Sequence, residues 1–439
     1  MTGNLRTMIH NLGVVIVRNP VEILVSLSAF LVSVLLYEKI LPEYVVSDNP
    51  FLAPVIFAIP FILNRINSKK IIFPVLYFLS AFSILIFFCK NTASLFETGV
   101  YPVLLIISLA AVVSFRNIKD NRLFIDNSLK FFKNLIFALI SAGAATLLLI
   151  ALTASIIYLF DVFRESSDHI YFYIANISLF VGAPLVFLYL DHEWESGKSS
   201  IKDFNISGIS DIVINYILSP ALILYTLILY VYIAVVAVTW SLPKGNVALM
   251  VIGFIITAFS VKALLPLLDR QNFKGFFRYL SYISVLPITL FWIGIIYRIR
   301  QYGFTEERVY LLVTGAIITY TVVEFLKERS GSYLRIGYTV LIAGAIFTFA
   351  PWISAKDIGI KSQKNRLEAS VVQLGMKISD GKISFPASFE NRPESEKIEQ
   401  ICDILDYLKV QWGKEKIAER YGFSDGKEFK KAVENLSPQ

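Results

Sequence analysis

The feature that most constrains this chain is a series of long, nearly uncharged apolar stretches running from Val21 to Ile353. A bilayer core about 30 Å thick needs roughly 20 mainly apolar residues per helix, with about 17 to 25 tolerated. A helix apolar on every face has no side to show to water. By that rule eleven segments qualify, over 21–41, 51–66, 71–89, 100–115, 135–160, 170–190, 216–242, 247–268, 276–297, 309–325 and 334–353. The second is short and carries Pro54 and Pro60, so it reads either as a span or as one half of a re-entrant hairpin. Composition agrees: 17% of residues are charged and 56% apolar, against about 25% charged in a soluble domain. That excludes an ordinary cytosolic enzyme, a disordered chain and a nucleic-acid binder.

Charge divides the chain in two. Residues 354–439 hold 15 Lys and Arg and 14 Asp and Glu, leaving 26 and 20 for the preceding 353 residues. The fold expected is an all-α polytopic membrane protein of about eleven transmembrane helices, with a small α+β soluble C-terminal domain. Its divisions are an interfacial amphipathic segment over 1–20, a transmembrane helical domain over 21–353 and the soluble domain over 354–439. The N-terminal segment places Leu5, Met8, Ile9, Leu12 and Ile16 at helical spacing, the pattern of a helix lying on a leaflet. No small-residue processing site follows it, so the first apolar segment is expected to stay as an anchor. A similar pattern, Leu123, Phe124, Leu129 and Phe132 among Arg122, Lys130 and Lys133, precedes the fifth span and reads as an interfacial helix or a basic juxtamembrane segment.

Basic loop residues set topology. With the N-terminus cytoplasmic, the inner segments collect eighteen Lys and Arg and the outer loops seven, with Lys262 left inside a span. The expectation is therefore a bacterial inner-membrane protein with a cytoplasmic N-terminus and, the span count being odd, a periplasmic C-terminal domain. In that domain Asp380-Gly381 reads as a hairpin turn between Ile378 and Ile383. Ile398, Ile401, Cys402, Leu405 and Leu408 mark one amphipathic helix, and Ile417, Ala418 and Tyr421 a second. Ser424 or Asp425 would cap a third carrying Phe429 and Val433. Cys89 and Cys402 are too few for a disulfide framework and are expected to stay unpaired.

Few residues carry chemistry. No span holds a central acid: Glu22, Asp161 and Glu324 lie near span ends, which weakens ion-coupled transport. Pro184, in Gly182-Ala183-Pro184, and Pro287 are candidate mid-membrane helix breaks, either plain kinks or ligand-facing interruptions. Asp191-His192-Glu193-Trp194-Glu195 reads as a solvated acidic cap, its adjacent ligands facing apart. No catalytic signature occurs, and no enzyme activity, cofactor or metal is expected.

The most informative stretch joins the ninth and tenth spans. Arg298, Arg300 and Arg308 fall in an outer loop, against the positive-inside bias, beside Tyr297 and Tyr302. Gly303 permits a turn, Thr305 can cap the tenth span, and Glu306 and Glu307 suit its electropositive first turn. Either Glu306, Glu307 and acids of the tail neutralise the arginines and dock the tail there, or Arg298, Arg300, Tyr302, Gly303, Thr305 and Arg308 form an anion site.

Tyr297-Arg298-Ile299, Tyr302-Gly303-Phe304-Thr305 and Arg308, with Ser362-Gln363, Arg366-Leu367, Asp380-Gly381-Lys382 and Ile404 to Leu408 downstream, resemble the C-terminal half of an uncharacterised bacterial inner-membrane family, DUF4153-like. The resemblance covers about 276–421. It implies a topology and a tail domain but no catalytic role.

The function expected is a non-enzymatic inner-membrane protein in sensing, assembly or envelope maintenance. It would bind an envelope anion, a lipid or glycan phosphate, or a partner protein at its outer face. The alternative is a transporter or lipid-translocating permease. The partners are the lipid bilayer, an anionic lipid or glycan and an envelope protein, with no nucleic acid.

Overall fold

The computed structural model describes residues 2–42, 48–66, 71–89, 92, 95–96, 100–115, 121–160, 166–195, 213–239, 247–267, 271–327, 331–379, 382–385 and 395–436. Asp161, Asp380-Gly381 and the basic residues Lys69, Lys70, Lys90, Arg116, Lys119, Arg164, Lys198, Lys202, Lys244, Arg270 and Arg329 lie outside them.

Each of the apolar segments is helical. After α1 (Thr2–Arg18) come α2 (Pro20–Tyr37), α3 (Asn49–Arg65), α4 (Ile72–Phe88), α5 (Val100–Phe115) and α6 (Asn121–Phe160). Helix α7 runs from Ser167–Ile177 through a π-helical turn, Ser178–Gly182, into Ala183–Glu195. Helix α8 opens with the π turn Val213–Leu218 and continues as Ser219–Thr239; α9 (Val247–Leu264), α10 (Lys274–Tyr302), α11 (Glu306–Lys327) and α12 (Tyr333–Phe349) complete the apolar series. Among the described residues seven helices are long and apolar enough to cross a membrane, while Asn49–Arg65, Ile72–Phe88, Val100–Phe115 and Tyr333–Phe349 are shorter apolar helices.

One sequence reading changes here. The segment ahead of the fifth span is no separate interfacial helix but the first three turns of the 40-residue α6. Phe124 and Phe131 turn inward to pack with Phe61, Phe187 and Leu334, which fixes that stretch against the bundle. The segment with Pro54 and Pro60 is one continuous helical run, its first four residues wound as a 3-10 turn.

The apolar helices build three cores. One gathers residues of α8 to α11 around Phe254, Phe277, Phe291 and Phe325. A second joins α2, α3, α4 and α7. A third lies among α1, α3, α5, α6 and α7, with α12 laid against α5 and α6. Gly344 and Gly337 let α12 come that close, since a Cβ at Gly344 would fall 2.7 Å from Ile107.

The chain beyond Ser354 closes its own apolar core. It comprises α13 (Ala355–Gln373), the antiparallel strands β1 (Lys377–Ser379) and β2 (Lys382–Ser384), α14 (Ser395–Trp412), α15 (Lys414–Tyr421) and α16 (Gly426–Leu436). Ile401, Leu405, Leu408, Ile417, Tyr421, Phe429 and Val433 are buried together, as their spacing requires. The pairing of Ser379 with Lys382 leaves two residues between the strands. Helix α13, which the sequence did not reveal, supplies Leu367 and Val371 to this core. Cys89 and Cys402 are both free thiols; burial pushes the Cys402 thiol up to about 11, with Asp406 adding to it.

Candidate anion-binding site at the 302–308 turn

Arg298 and Arg300 do not lie in a loop. They sit in the last turns of α10, Arg308 sits in the first turn of α11, and the connection is only Gly303 to Thr305. Gly303 adopts φ +69°, and a Cβ there would fall 2.5 Å from Cδ of Arg366, so conformation and space both require glycine.

The end of a helix leaves carbonyls without intrahelical partners and carries negative dipole charge. Here arginines take up both. Arg308 Nη1 donates to the carbonyls of Tyr302 at 3.2 Å and Gly303 at 3.0 Å, with its guanidinium 5.3 Å from the Tyr302 ring. Arg366, from α13, donates to the carbonyl of Gln301 at 3.1 Å and also to that of Tyr302. Gln363 Nε2 donates to the carbonyls of Tyr302 at 3.0 Å and Phe304 at 2.7 Å, and the Phe304 N–H donates to Ser362 Oγ at 3.0 Å.

The opening of α11 is held from the same side. Its Glu306 N–H donates to the Tyr407 hydroxyl at 3.1 Å, and Gln411 Nε2 donates to the buried Glu306 carboxylate at 2.8 Å. Burial pushes the Tyr407 phenol up to about 12. Burial likewise lowers the Arg366 guanidinium from its usual value. Gly359 on α13 makes the approach possible, because a Cβ there would collide with the Tyr407 hydroxyl and lie 2.9 Å from the Glu306 nitrogen.

Among the described residues, the tail's hydrogen bonds to the turn come from neutral groups and from Arg366. Glu306, expected to neutralise arginines, faces Gln411, and the tail brings neutral donors and one more arginine. Arg308 consequently stands within electrostatic reach of both Arg298 and Arg366, with Glu307 opposing them. Tyr302, Gly303, Phe304, Ser362, Gln363, Arg366 and Tyr407, which carried the family resemblance, converge at this one place.

The two prolines lie elsewhere. Pro287 is buried in α10, and the Ile283 carbonyl that its missing N–H releases accepts the Tyr230 hydroxyl of α8 at 3.0 Å. That break is satisfied by packing. Pro184 is the second residue of the α-helical stretch that follows the π turn of α7.

A polar cluster that the sequence did not reveal ties α2, α3, α4 and α7. Arg65 bridges the buried carboxylates of Glu22, at 3.3 Å, and Asp191, at 2.8 Å. Glu22 also accepts the Tyr77 hydroxyl at 2.6 Å and Asn64 Nδ2 at 3.0 Å. Asp191 is therefore a buried ion-pair partner and no part of a solvated cap. The sole signal available was its type, a carboxylate at a span end, which predicts a charged partner without locating it.

These helices define a multi-pass helical membrane protein. An uncharacterised protein of Pasteurella multocida strain Pm70 is similar to it, 28% identical over 393 residues, which are 85% of this chain and 65% of that protein. The chain spans less than two thirds of that relative's length. No family model matches the chain, and no solved structure matches it.

Proposed function

We propose that this chain is a non-enzymatic, multi-pass bacterial inner-membrane protein, DUF4153-like, that binds an anionic group at the arginine cluster beside its docked tail. In this reading eleven helices span the membrane, the N-terminus is cytoplasmic, and residues 354–439 form a soluble α+β domain on the periplasmic face. The ligand is the phosphate of a lipid or glycan, or a carboxylate of an envelope partner, and the role is sensing, assembly or maintenance of the envelope. The observation that carries the reading is that Arg308 and Arg366 donate to the same Tyr302 carbonyl, with Arg298 within electrostatic reach of Arg308, because like charges brought together by a fold are relieved by an anion. Arg308 supports it with stereochemistry: Nη1 serves both carbonyls, and a guanidinium presents donors on two further nitrogens.

The test is flotation of the full chain in vesicles with and without phosphatidylglycerol, followed by quantifying the lipid retained after detergent extraction. Wild type should retain the anionic lipid, and Arg298→Gln/Arg308→Gln should lose most of it while hydrogen exchange at the Glu306 amide stays slow. Equal retention by both proteins would remove the reading. A reporter joined after Gln439 should be active only in its periplasm-dependent form.

A lipid-translocating permease is the second reading, favoured by the π turn ahead of Pro184. Water-accessible cysteine labelling along α7 would support it. Labelling along α10 is not expected, since Pro287 sits in packed protein.

A further inference from the structure

Between α2, α3, α5, α6 and α7 lies a cavity of about 360 Å³, within the size range of small-molecule pockets. Its walls are apolar side chains, and the hydroxyls in its lining belong to Ser26, Ser108 and Tyr101. Its floor is an aromatic cluster. Phe61 and Phe187 have ring centroids 5.4 Å apart, and Phe131 stands 5.4 Å from Phe187. All three rings are buried, at 2%, 7% and 5% exposure for Phe61, Phe131 and Phe187. Its rim is the opposite: Phe51, Leu139 and Leu179 are 48%, 48% and 43% exposed. From Ala53 to Phe61 the α3 wall is eight residues of helix, about 12 Å at 1.5 Å per residue.

These features select the occupant. Leu139 and Leu179 of the rim belong to helices of membrane-crossing type, Phe51 to a shorter apolar helix, and all three continue into outward apolar surface, so the medium at the mouth is lipid hydrocarbon. Water gains little from entering, because a buried water needs two to four polar partners and the floor is aromatic. A void left empty would forfeit the contacts of its whole lining. A headgroup or a hydrophilic substrate would lose its hydration without compensation. Leu179 of the rim and Phe180 of the wall both lie in the π turn of α7, and Pro184 follows on the same wall, so the turn presents the helix to the cavity.

We infer that this cavity is a binding site for one hydrocarbon chain of a membrane lipid, entering sideways between Leu179 and Phe51 and ending on Phe61. The floor also gives the site a boundary with charge: the Arg65 guanidinium lies 3.5 Å from the Phe61 ring centroid, so one aromatic ring separates the chain's end from the Glu22–Arg65–Asp191 cluster. The inference does not depend on the arginine cluster at the 302–308 turn.

The test uses the full chain reconstituted in phosphatidylethanolamine and phosphatidylglycerol vesicles containing a small fraction of lipid with a diazirine at the tail terminus. After illumination, labelled residues are mapped by mass spectrometry. Wild type should be labelled at Phe57, Ala138 or Ala183 as strongly as at the exposed α8 residues Leu224 and Val231. Filling the cavity with Ala138→Trp, or separately with Ala58→Leu, should lower the cavity label severalfold and leave the α8 label unchanged. Absence of cavity label in wild type would overturn the inference, and that result needs no variant to fold. Cavity label undiminished in a variant that retains the α8 label would overturn it equally.

Discussion

Two charged clusters hold this molecule together, and they solve the problem of buried charge in opposite ways. Among α2, α3 and α7, one arginine is matched by the carboxylates of Glu22 and Asp191, so the attraction is between formal charges and needs a partner for each. At the 302–308 turn, Arg308 and Arg366 are matched by backbone carbonyls at a helix end, and they approach one another. Carbonyl dipoles satisfy hydrogen-bond donors but do not cancel charge. The first arrangement is complete within the chain; in the second the carbonyls satisfy the donors and leave the positive charge of Arg308 and Arg366 uncancelled by them.

This contrast sets an order of effects. Arg65→Ala should be the most damaging change, because it strands two carboxylates in a buried setting at a cost of about 3–5 kcal/mol. Equilibrium unfolding in mixed micelles should show it, and a loss no larger than that of Arg308→Ala would erase the distinction between the clusters. Gly359→Val comes next at about 1–3 kcal/mol, by overpacking α13 against the Tyr407 hydroxyl and the Glu306 nitrogen. Limited proteolysis should then cut the tail faster while the apolar helices stay intact. Tyr407→Phe should cost about 1–2 kcal/mol by leaving the Glu306 N–H without its acceptor, read as faster exchange of that one amide.

The smallest effect separates the tail's own fold from its docking. Asp425 accepts the Glu428 N–H at the start of α16, and this bond holds its carboxyl below the usual range. A lowered folded value means the stabilisation is present above the unfolded value of about 4 and is lost as pH falls through the folded value. Asp425→Ala should therefore cost about 1 kcal/mol at neutral pH and nearly nothing in strong acid. A pH-independent difference would show that the cap is not ionic.

Local patterns were legible in the sequence where local physics suffices. The apolar helices follow from segment length, and the tail's three amphipathic helices follow from Ile401, Leu405, Leu408, Tyr421 and Phe429 at helical spacing. Helix α13 escaped because its buried stripe, Ala355, Gly359, Gln363, Leu367, Ser370 and Val371, has the right period in small and polar residues. Leu367 and Val371 enter the tail core, but Gly359 and Gln363 face a backbone turn, and a turn wants donors and space instead of oil. The Arg65 partnership escaped for a different reason, since Asp191 is 126 positions away and charge alone does not encode distance. At the candidate site, Arg298, Arg300 and Arg308 were singled out for opposing the charge bias of their loop, with Tyr302 beside them and Gly303 as the turn residue, but the fourth arginine, Arg366, could be joined to them only by folding the tail back.

The most direct test is an experimental structure of the full chain in nanodiscs containing phosphatidylglycerol. The expected result is non-protein density bridging Arg308 and Arg366, with Ser362 and Gln363 still bonded to the turn. A docked tail with the same arginines neutralised by protein carboxylates, and no such density, would contradict the account.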